Sequence, residues 1–197
     1  MHPTSIELLN LFGTYTERFS QLKLARIYIK HKDFESAKKM LDGKLAPYLK
    51  DQTQAKALAM ALKIAINSVY GLTAASFKNP FKDSRNINNI VALRGALFMV
   101  DLKHAVQEQG YTVAHIKTDS IKIPNADPKI IDFVMEFGKK YGYTFEHEAT
   151  YSKMCLVNNA VYIAEYADGE HEYELSTGEK LKTKWTATGT QFQIPYV

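Results

Sequence analysis

The chain has 197 residues, of which 46% are hydrophobic and 23% charged, and this ordinary globular composition excludes a disordered or low-complexity protein. Its single cysteine, Cys155, excludes an intrachain disulfide framework and a four-cysteine zinc site. The apolar neighbours of Cys155 predict a buried position. Neither an uninterrupted apolar run of ~18 residues nor a signal peptide is found. We therefore expect a soluble cytoplasmic protein that makes no membrane contact.

The net charge of +4 is distributed unevenly along the chain. Residues 1–125 contain 18 basic and 10 acidic side chains, whereas residues 126–197 contain 7 basic and 11 acidic ones. This basic excess favours contact with a polyanion in the first two thirds of the chain. The alternative is that these lysines only keep the helices solvated. The motifs are needed to distinguish this interpretation from contact with a polyanion.

The first two thirds of the chain are predicted to be helical. Apolar residues recur over residues 6–48, and Asp33 is suited to cap a second helix after a break in this segment. A run without proline or glycine over residues 52–70 predicts a long helix, which Gly71 is expected to end. A further helix is predicted over residues 86–109.

The predicted helix over residues 52–70, which Asp51 precedes, has two chemically different faces. At ~100° per residue, the apolar face carries Leu58, Leu62, Ala65 and Val69. The opposite, polar face carries Lys56, Lys63, Asn67 and Tyr70.

The sequence pattern changes to short β-favouring runs after residue 110. Residues 112–116 and 121–123 flank the tight sequence Lys117-Thr118-Asp119-Ser120, which predicts a hairpin with an acidic tip. Asp127 and the proline that follows it then open a predicted helix that ends near Gly142.

The remaining segments are predicted to be strands. They cover residues 144–148, 155–165, 172–174 and 180–186. The pairs Asp168-Gly169 and Thr177-Gly178 are expected to form hairpin turns. Helices followed by an antiparallel sheet with two helices indicate the α+β class.

One string on the polar face of the long helix is the most specific motif. Lys63, Asn67 and Tyr70 at positions i, i+4 and i+7 fall within roughly 60° of one another, so they point into one space. A lysine can meet a triphosphate as a compact charge, and a tyrosine ring can lie against a base or sugar. The alternative to nucleotide contact is that the lysine is only solvated and the tyrosine packs on its own loop. The full string K-x3-N-S-x-Y-G, which ends at Gly71, resembles the fingers-helix motif of family B DNA polymerases.

The predicted hairpin resembles a second motif of the same family. Residues 115–120 are similar to the Y-x-D-T-D-S turn of the polymerase palm, which implies that Asp119 binds metal. The family uses two Mg²⁺ ions bridged by aspartates from two motifs. The sequence that begins at His2 resembles the end of the other motif, with His2 beside the incoming sugar. The resemblance therefore places the second aspartate just before residue 1.

The first fingers helix of the family carries an R-x3-K pair that faces the triphosphate. Arg26 and Lys30 fit this pair, and both could hold phosphate oxygens. A solvated basic pair on a helix is the alternative. The nucleotide-binding residues that the resemblance implies are Lys63, Asn67, Tyr70, Arg26, Lys30 and His2.

Residues 145–151 resemble the strand that precedes the primer-gripping K-K-x-Y of the palm. Within them, Glu146 and Glu148 are accessory acidic residues. Tyr162 keeps the tyrosine of the grip. The DNA contacts that the resemblance implies are Tyr162, Gly71 and Ser120.

Two departures from the family pattern concern the palm. Lys117 replaces the first aspartate of the hairpin motif, and we expect it to pair with Glu146 or Glu148 across the sheet. Asn159 and Ala160 replace the two lysines of the grip, which weakens the expected contact with phosphate.

The resemblance implies an α+β fold in which an antiparallel polymerase-palm sheet with flanking helices accompanies a helical fingers hairpin. Residues 1–14 would begin the palm, residues 15–71 would form the fingers, and residues 72–197 would complete the palm. The function implied is that of a DNA-directed DNA polymerase of phage or other viral type, active in the host cytoplasm. It would act with two Mg²⁺ ions on a deoxynucleoside triphosphate and a DNA primer–template.

Exonuclease and thumb domains would belong to the same polypeptide, and the isolated chain would be inactive because one carboxylate cannot assemble both ions. The alternative is a non-catalytic nucleic-acid-binding module derived from a polymerase palm, which Lys117 and the altered grip favour. A small-molecule enzyme would need a closed apolar pocket away from these motifs, and no spacing of nucleophile and histidine points to a hydrolase.

Overall fold

The computed structural model describes residues 2–86, 89–174 and 180–188. These residues form two units, Met1–Val100 and Asp101–Val197. The first unit contains the helices α1 (His2–Leu8), α2 (Thr16–Lys30), α3 (Phe34–Lys39) and α4 (Gln52–Thr73) and the first part of α5 (Ile90–Glu108). Short 3₁₀ turns connect these helices at Gly13–Tyr15, Met40–Gly43, Ala46–Tyr48 and Ser84–Asn86.

Helices α2 and α4 pack against each other in antiparallel fashion. Ile29 shares one buried cluster with Ala55 and Leu62, whereas Phe19, earlier in α2, shares a second cluster with Ile66, later in α4. Because the partner moves forward in α4 as the position moves back in α2, the two helices run in opposite directions. This pair forms a helical hairpin whose far end is the segment between α2 and α4.

The helix cap predicted at Asp33 is confirmed, and Asp51 and Asp127, which were predicted only to precede or open helices, are caps as well. The Asp33 carboxylate accepts a hydrogen bond from the Ser36 backbone N–H at 3.1 Å, and the Asp51 carboxylate accepts one from the Gln54 N–H at 2.9 Å. Asp127 does the same at the start of α6 (Pro128–Lys140), 2.9 Å from the Ile130 N–H. Each carboxylate satisfies a donor that would otherwise be unpaired in the first helical turn.

Helix α4 differs from the sequence prediction at its end and in its buried stripe. It continues past Gly71 to Thr73, because side chains satisfy the carbonyl groups there: the Thr73 hydroxyl donates to the Tyr70 carbonyl at 2.6 Å, and the Asn79 amide donates to the Leu72 carbonyl at 3.1 Å. The buried residues of α4 are Ala55, Leu62, Ile66 and Thr73. Ala65, expected in the apolar stripe, is exposed.

Helix α4 is also long and apolar enough to cross a membrane by length and composition alone. Its most apolar window has a mean hydropathy of 1.2. Core helices of soluble proteins satisfy the same criterion.

The second unit combines the end of α5 and helix α6 with small antiparallel sheets. Strands β1 (His115–Lys117) and β2 (Ser120–Lys122) form the predicted hairpin. Strands β3 (Tyr151–Asn158), β4 (Val161–Tyr166) and β7 (Trp185–Thr188) form a sheet in the order β3-β4-β7. Strands β5 (His171–Glu174) and β6 (Lys180–Thr183) pair separately. The α+β class with antiparallel sheets is therefore confirmed.

Several strand predictions are wrong. Residues 144–148 form no strand. The segment 155–165 is two strands, because the Asn158 carboxamide accepts a hydrogen bond from the Ala160 N–H at 2.8 Å and turns the chain between β3 and β4. Residues 180–186 are also interrupted, since the Thr183 hydroxyl accepts a hydrogen bond from the Trp185 N–H at 3.0 Å.

One predicted turn and one predicted core residue are also wrong. Asp168-Gly169 does not close a hairpin, because β4 pairs with β3 and β7 rather than with β5. Thr177-Gly178 lies outside the described residues. Cys155 is exposed on β3 instead of buried, because the residues from 155 to 158 are exposed on both faces of this strand.

Candidate functional site

A basic groove lies between α2 and α4 near the far end of the helical hairpin. Its volume is about 210 Å³, and its apolar lining includes Ile29, Phe34, Ala55 and Ala59. Its basic lining residues are Arg26, Lys30, Lys32 and Lys56. The structure therefore brings Arg26 and Lys30 together at one groove, as their i, i+4 spacing predicts. It adds Lys32 and Lys56, which the motifs did not include.

The position of Lys56 in the groove follows from its place on α4. Residues seven apart on a helix lie on the same face, about 10 Å apart along its axis. Lys63 and Asn67 continue this face from Lys56 toward the end of α4, and both are exposed. The polar face of α4 thus runs from the groove past Lys63 and Asn67.

Tyr70 does not share the exposure of Lys63 and Asn67. Its ring stacks on the imidazole ring of His2, with centroids 4.5 Å apart and planes 9° from parallel. Its hydroxyl donates a hydrogen bond to the Asn89 side-chain oxygen at 2.9 Å, and it packs against the second buried cluster. Two of the predicted nucleotide-binding residues, His2 and Tyr70, are therefore direct neighbours.

In the second unit, the hairpin turn holds Asp119 at its tip. Thr118 adopts φ 52°, and the Asp119 N–H donates to the Lys117 carbonyl at 2.6 Å, which forms a three-residue turn. The Ser120 hydroxyl donates to the same carbonyl at 3.2 Å. The Asp119 side chain is exposed as a result, although a positive φ is unfavourable for a β-branched residue.

The hairpin is attached to the turn between β3 and β4. The Lys117 ammonium donates a hydrogen bond to the Ala160 carbonyl at 2.7 Å, and the His115 ring contacts the Asn159 carbonyl at 3.0 Å. The prediction that Lys117 pairs with Glu146 or Glu148 is wrong. Lys117 instead donates to a carbonyl group of the β3–β4 turn, a turn that was not predicted from the sequence.

Tyr162 lies on β4 next to this attachment. Its ring meets the His115 ring edge to face at 6.1 Å, and the Lys122 ammonium lies 5.7 Å from its centroid. The same ammonium lies 5.9 Å from the centroid of Tyr151. Burial, and then the neighbouring Tyr162, raise the pKa of Tyr151 far above its usual value, so its hydroxyl is neutral at physiological pH. The motifs pointed to Tyr162 but not to Lys122.

The described side chains offer few ligands for Mg²⁺. Among the residues that the structure describes, no group of three or more His, Cys, Asp or Glu side chains is placed to hold a metal. Mg²⁺ is commonly bound by one or two protein carboxylates, with substrate phosphates and water completing its shell. Asp119, exposed at a turn, fits as one such carboxylate.

The chain matches no known protein family and no curated protein.

Proposed function

We propose that the chain forms the fingers and palm of a family B DNA polymerase, which transfers a nucleotide from a deoxynucleoside triphosphate to a primer 3′-hydroxyl. The observation that carries this proposal is the basic groove. Arg26 and Lys30 line it on α2, and the facing helix α4 bears the K-x3-N-S-x-Y-G string. Two segments that resemble nucleotide-binding motifs thus belong to one antiparallel helix pair.

The proposal assigns a role to each residue of the helix pair. Arg26, Lys30 and Lys63 hold the phosphates of the nucleotide, since guanidinium and ammonium groups form charge-assisted hydrogen bonds to phosphate oxygens. Asn67 and the stacked pair of Tyr70 and His2 border the base and sugar. These positions lie on three helices, and α4 contributes to both sets of contacts, with Lys63 at the phosphates and Asn67 and Tyr70 at the base and sugar.

The second unit is proposed to supply the palm. Asp119 provides one carboxylate for Mg²⁺, whose chemistry is to activate the primer hydroxyl and neutralise charge on the triphosphate. Tyr162 and Ser120, with Gly71 of the first unit, contact the DNA backbone, and Glu146 and Glu148 are accessory acidic residues. Exonuclease and thumb domains of the same polypeptide are the proposed partners, in the cytoplasm of the host.

Primer extension by the full-length polypeptide tests the metal assignment. Asp119→Asn should lower the rate by about 1,000-fold, because metal coordination supplies several kcal/mol and each 1.36 kcal/mol changes the rate tenfold. Asp132→Asn, which removes an exposed carboxylate from α6, is the matched control and should leave extension unchanged. Equal extension by both variants would refute the assignment of Asp119.

A second candidate function, a non-catalytic nucleic-acid-binding module, is favoured by one contact. Lys117 occupies the position of a carboxylate in the palm motif and is hydrogen-bonded to the Ala160 carbonyl, so a structural role has replaced a possible metal ligand there. On this alternative, the full-length polypeptide binds DNA with equal affinity with and without Mg²⁺ and extends no primer.

A further inference from the structure

One face of the β1–β2 hairpin carries a cation and an imidazole side by side. His115 and Lys122 are directly paired across the two strands, and side chains of such a pair lie on the same face, about 5 Å apart at Cβ. Lys117 follows His115 by two residues and therefore shares that face. All three side chains contact the β3–β4 hairpin.

Lys122 is held over two tyrosine rings rather than extended into solvent. Its ammonium lies 5.7 Å from the ring centroid of Tyr162 and 5.9 Å from that of Tyr151, both within the range of cation–π attraction. The side chain is half-buried. Two rings therefore restrict the ammonium group to one place before any ligand arrives, which lowers the entropy cost of binding an anion.

His115 provides a second, independent observation. Its ring is only 9% exposed, and its Nδ1 has no hydrogen-bond partner among the described residues. Because the Asn159 carbonyl can only accept, Nε2 is the donor in this contact. The buried Nδ1 is closed to a ligand at this face, so His115 contributes by packing against the ring of Tyr162.

Charged groups of both signs surround this face, and Lys122 is the cation held over the rings. Lys117 is engaged with the Ala160 carbonyl, and Lys153 is paired with Glu165 on the neighbouring sheet. Glu148 lies close enough to Tyr151 to affect its ionisation, so one carboxylate lies beside the rings. Lys122 is therefore the ammonium group that the tyrosine rings position for a ligand.

We propose that Lys122, with the rings of Tyr162 and Tyr151, binds one phosphate of a DNA strand and the adjoining sugar or base. The combination of a cation with aromatic faces is the chemistry by which proteins hold single strands without reading their sequence. Lys122 thereby supplies, from β2, the positive charge that Asn159 and Ala160 lack in the β3–β4 turn. The inference rests on the proposed function for the identity of the strand.

Binding of a fluorescein-labelled single-stranded oligodeoxynucleotide to the 197-residue chain, followed by anisotropy at several salt concentrations, tests the site. Lys122→Gln and Lys122→Met should each weaken binding by about tenfold and lower the slope of log K against log salt by about 0.7, the value for one phosphate of a single strand. Lys122→Arg should retain binding. Lys129→Gln, at an exposed lysine of the same unit, is the charge-matched control and should bind like the wild type.

Inorganic tripolyphosphate separates a DNA site from a general anion site, because it carries phosphate but neither sugar nor base. Tyr162→Leu should weaken DNA binding more than tripolyphosphate binding, because it removes a stacking surface for a base as well as one of the two rings that hold Lys122. Equal losses for both ligands would overturn the assignment of a strand. Lys122→Met retains the apolar stem over the rings, so it preserves the test if Lys122→Gln fails to fold.

The inference is overturned if the wild-type chain binds no oligonucleotide, or if the Lys122 variants bind like Lys129→Gln. The latter result leaves the Asp119 extension test untouched. Conversely, full extension activity in Asp119→Asn would refute the metal assignment while the Lys122 site remained. The two proposals can therefore fail separately.

Discussion

The imidazole ring of His2 stacks on the phenol ring of Tyr70, 4.5 Å apart and within 9° of parallel. This contact joins the start of α1 to the last turns of α4. The Tyr70 hydroxyl extends the connection to Asn89, directly before α5, at 2.9 Å. A single tyrosine therefore links three helices of the first unit, and the same ring is the proposed neighbour of the incoming nucleotide.

The bond between Tyr70 and Asn89 should contribute measurably to stability. Tyr70→Phe and Asn89→Gly each remove it, and glycine accepts the φ of 55° at position 89. Each variant should lower the free energy of unfolding in urea by about 0.5–1 kcal/mol. The double variant should lose little more than either single variant, because both remove one shared bond. Fully additive losses would show that the bond contributes nothing.

The basic groove should bind the phosphates of a nucleotide. Arg26→Gln, Lys30→Gln and Lys63→Ala should each weaken binding of dATP to the chain by about tenfold, as expected for one charged hydrogen bond to phosphate. Lys56→Gln should have a similar effect because Lys56 lines the same groove. Isothermal titration calorimetry at low salt measures the affinities.

Lys44→Gln is the control for the groove variants, since Lys44 is exposed and does not line the groove. An equal loss of affinity in Lys44→Gln would indicate attraction by net charge alone. If net charge alone is responsible, a higher salt concentration should reduce the losses of affinity in Arg26→Gln, Lys30→Gln, Lys63→Ala and Lys56→Gln together.

Substitution of Gly71 should change stability and DNA binding in opposite directions. It lies inside α4, and a Cβ atom there would have no heavy atom within 4 Å. Gly71→Ala should therefore raise the free energy of unfolding by about 0.5–1 kcal/mol. If DNA approaches this backbone, as proposed, the same variant should weaken oligonucleotide binding. Stabilisation with unchanged binding would remove Gly71 from the DNA site.

Substitution of Gly138 on α6 should lower the stability instead. A Cβ atom there would lie 2.7 Å from Cδ2 of Phe145 and 3.1 Å from the Tyr143 carbonyl oxygen. Gly138→Ala should lower the free energy of unfolding by about 1–3 kcal/mol, because the ring and backbone have to move. Thermal unfolding followed by circular dichroism measures the loss. A stabilised Gly138→Ala protein would contradict the close packing of α6 on this segment.

The ion pair of Asp83 and Arg85 should make stability depend on pH. The Arg85 guanidinium donates to both carboxylate oxygens, at 2.9 and 2.7 Å, and also to the Leu9 carbonyl at 3.1 Å. The hydrogen bond from the guanidinium holds the pKa of Asp83 below its usual value. The carboxylate is therefore more acidic in the folded chain than in the unfolded one.

Stabilisation by a carboxylate with a lowered pKa is complete above about pH 4 and is lost as the pH falls through the folded-state pKa. The difference in free energy of unfolding between the wild type and Asp83→Asn should thus shrink as the pH falls below about 4. Asp42→Asn, which removes an exposed carboxylate 4.0 Å from Arg18, is the control for the loss of a surface carboxylate. A constant difference at every pH would contradict the ion pair.

Sequence reasoning succeeded where the determining contacts are local. The cap at Asp33 and the helices that begin after Asp51 and Asp127 were predicted correctly, since each carboxylate accepts a hydrogen bond from a backbone N–H three residues ahead. The hairpin around Asp119 was also predicted, because its turn and strands are adjacent in sequence. The end of α4 was missed at Gly71, because Asn79, later in the chain, satisfies a carbonyl that a glycine cap would otherwise serve.

The sequence by itself determined the α+β class, the starts of α3, α4 and α6 and the acidic hairpin, because these depend on periodicity and on hydrogen bonds between near neighbours. Only the tertiary structure decided that Lys56 shares a groove with Arg26, that Tyr70 stacks on His2, and that Lys122 lies over Tyr162. Each of these contacts joins residues far apart in the chain. Their formation depends on how whole elements pack, which no local spacing encodes.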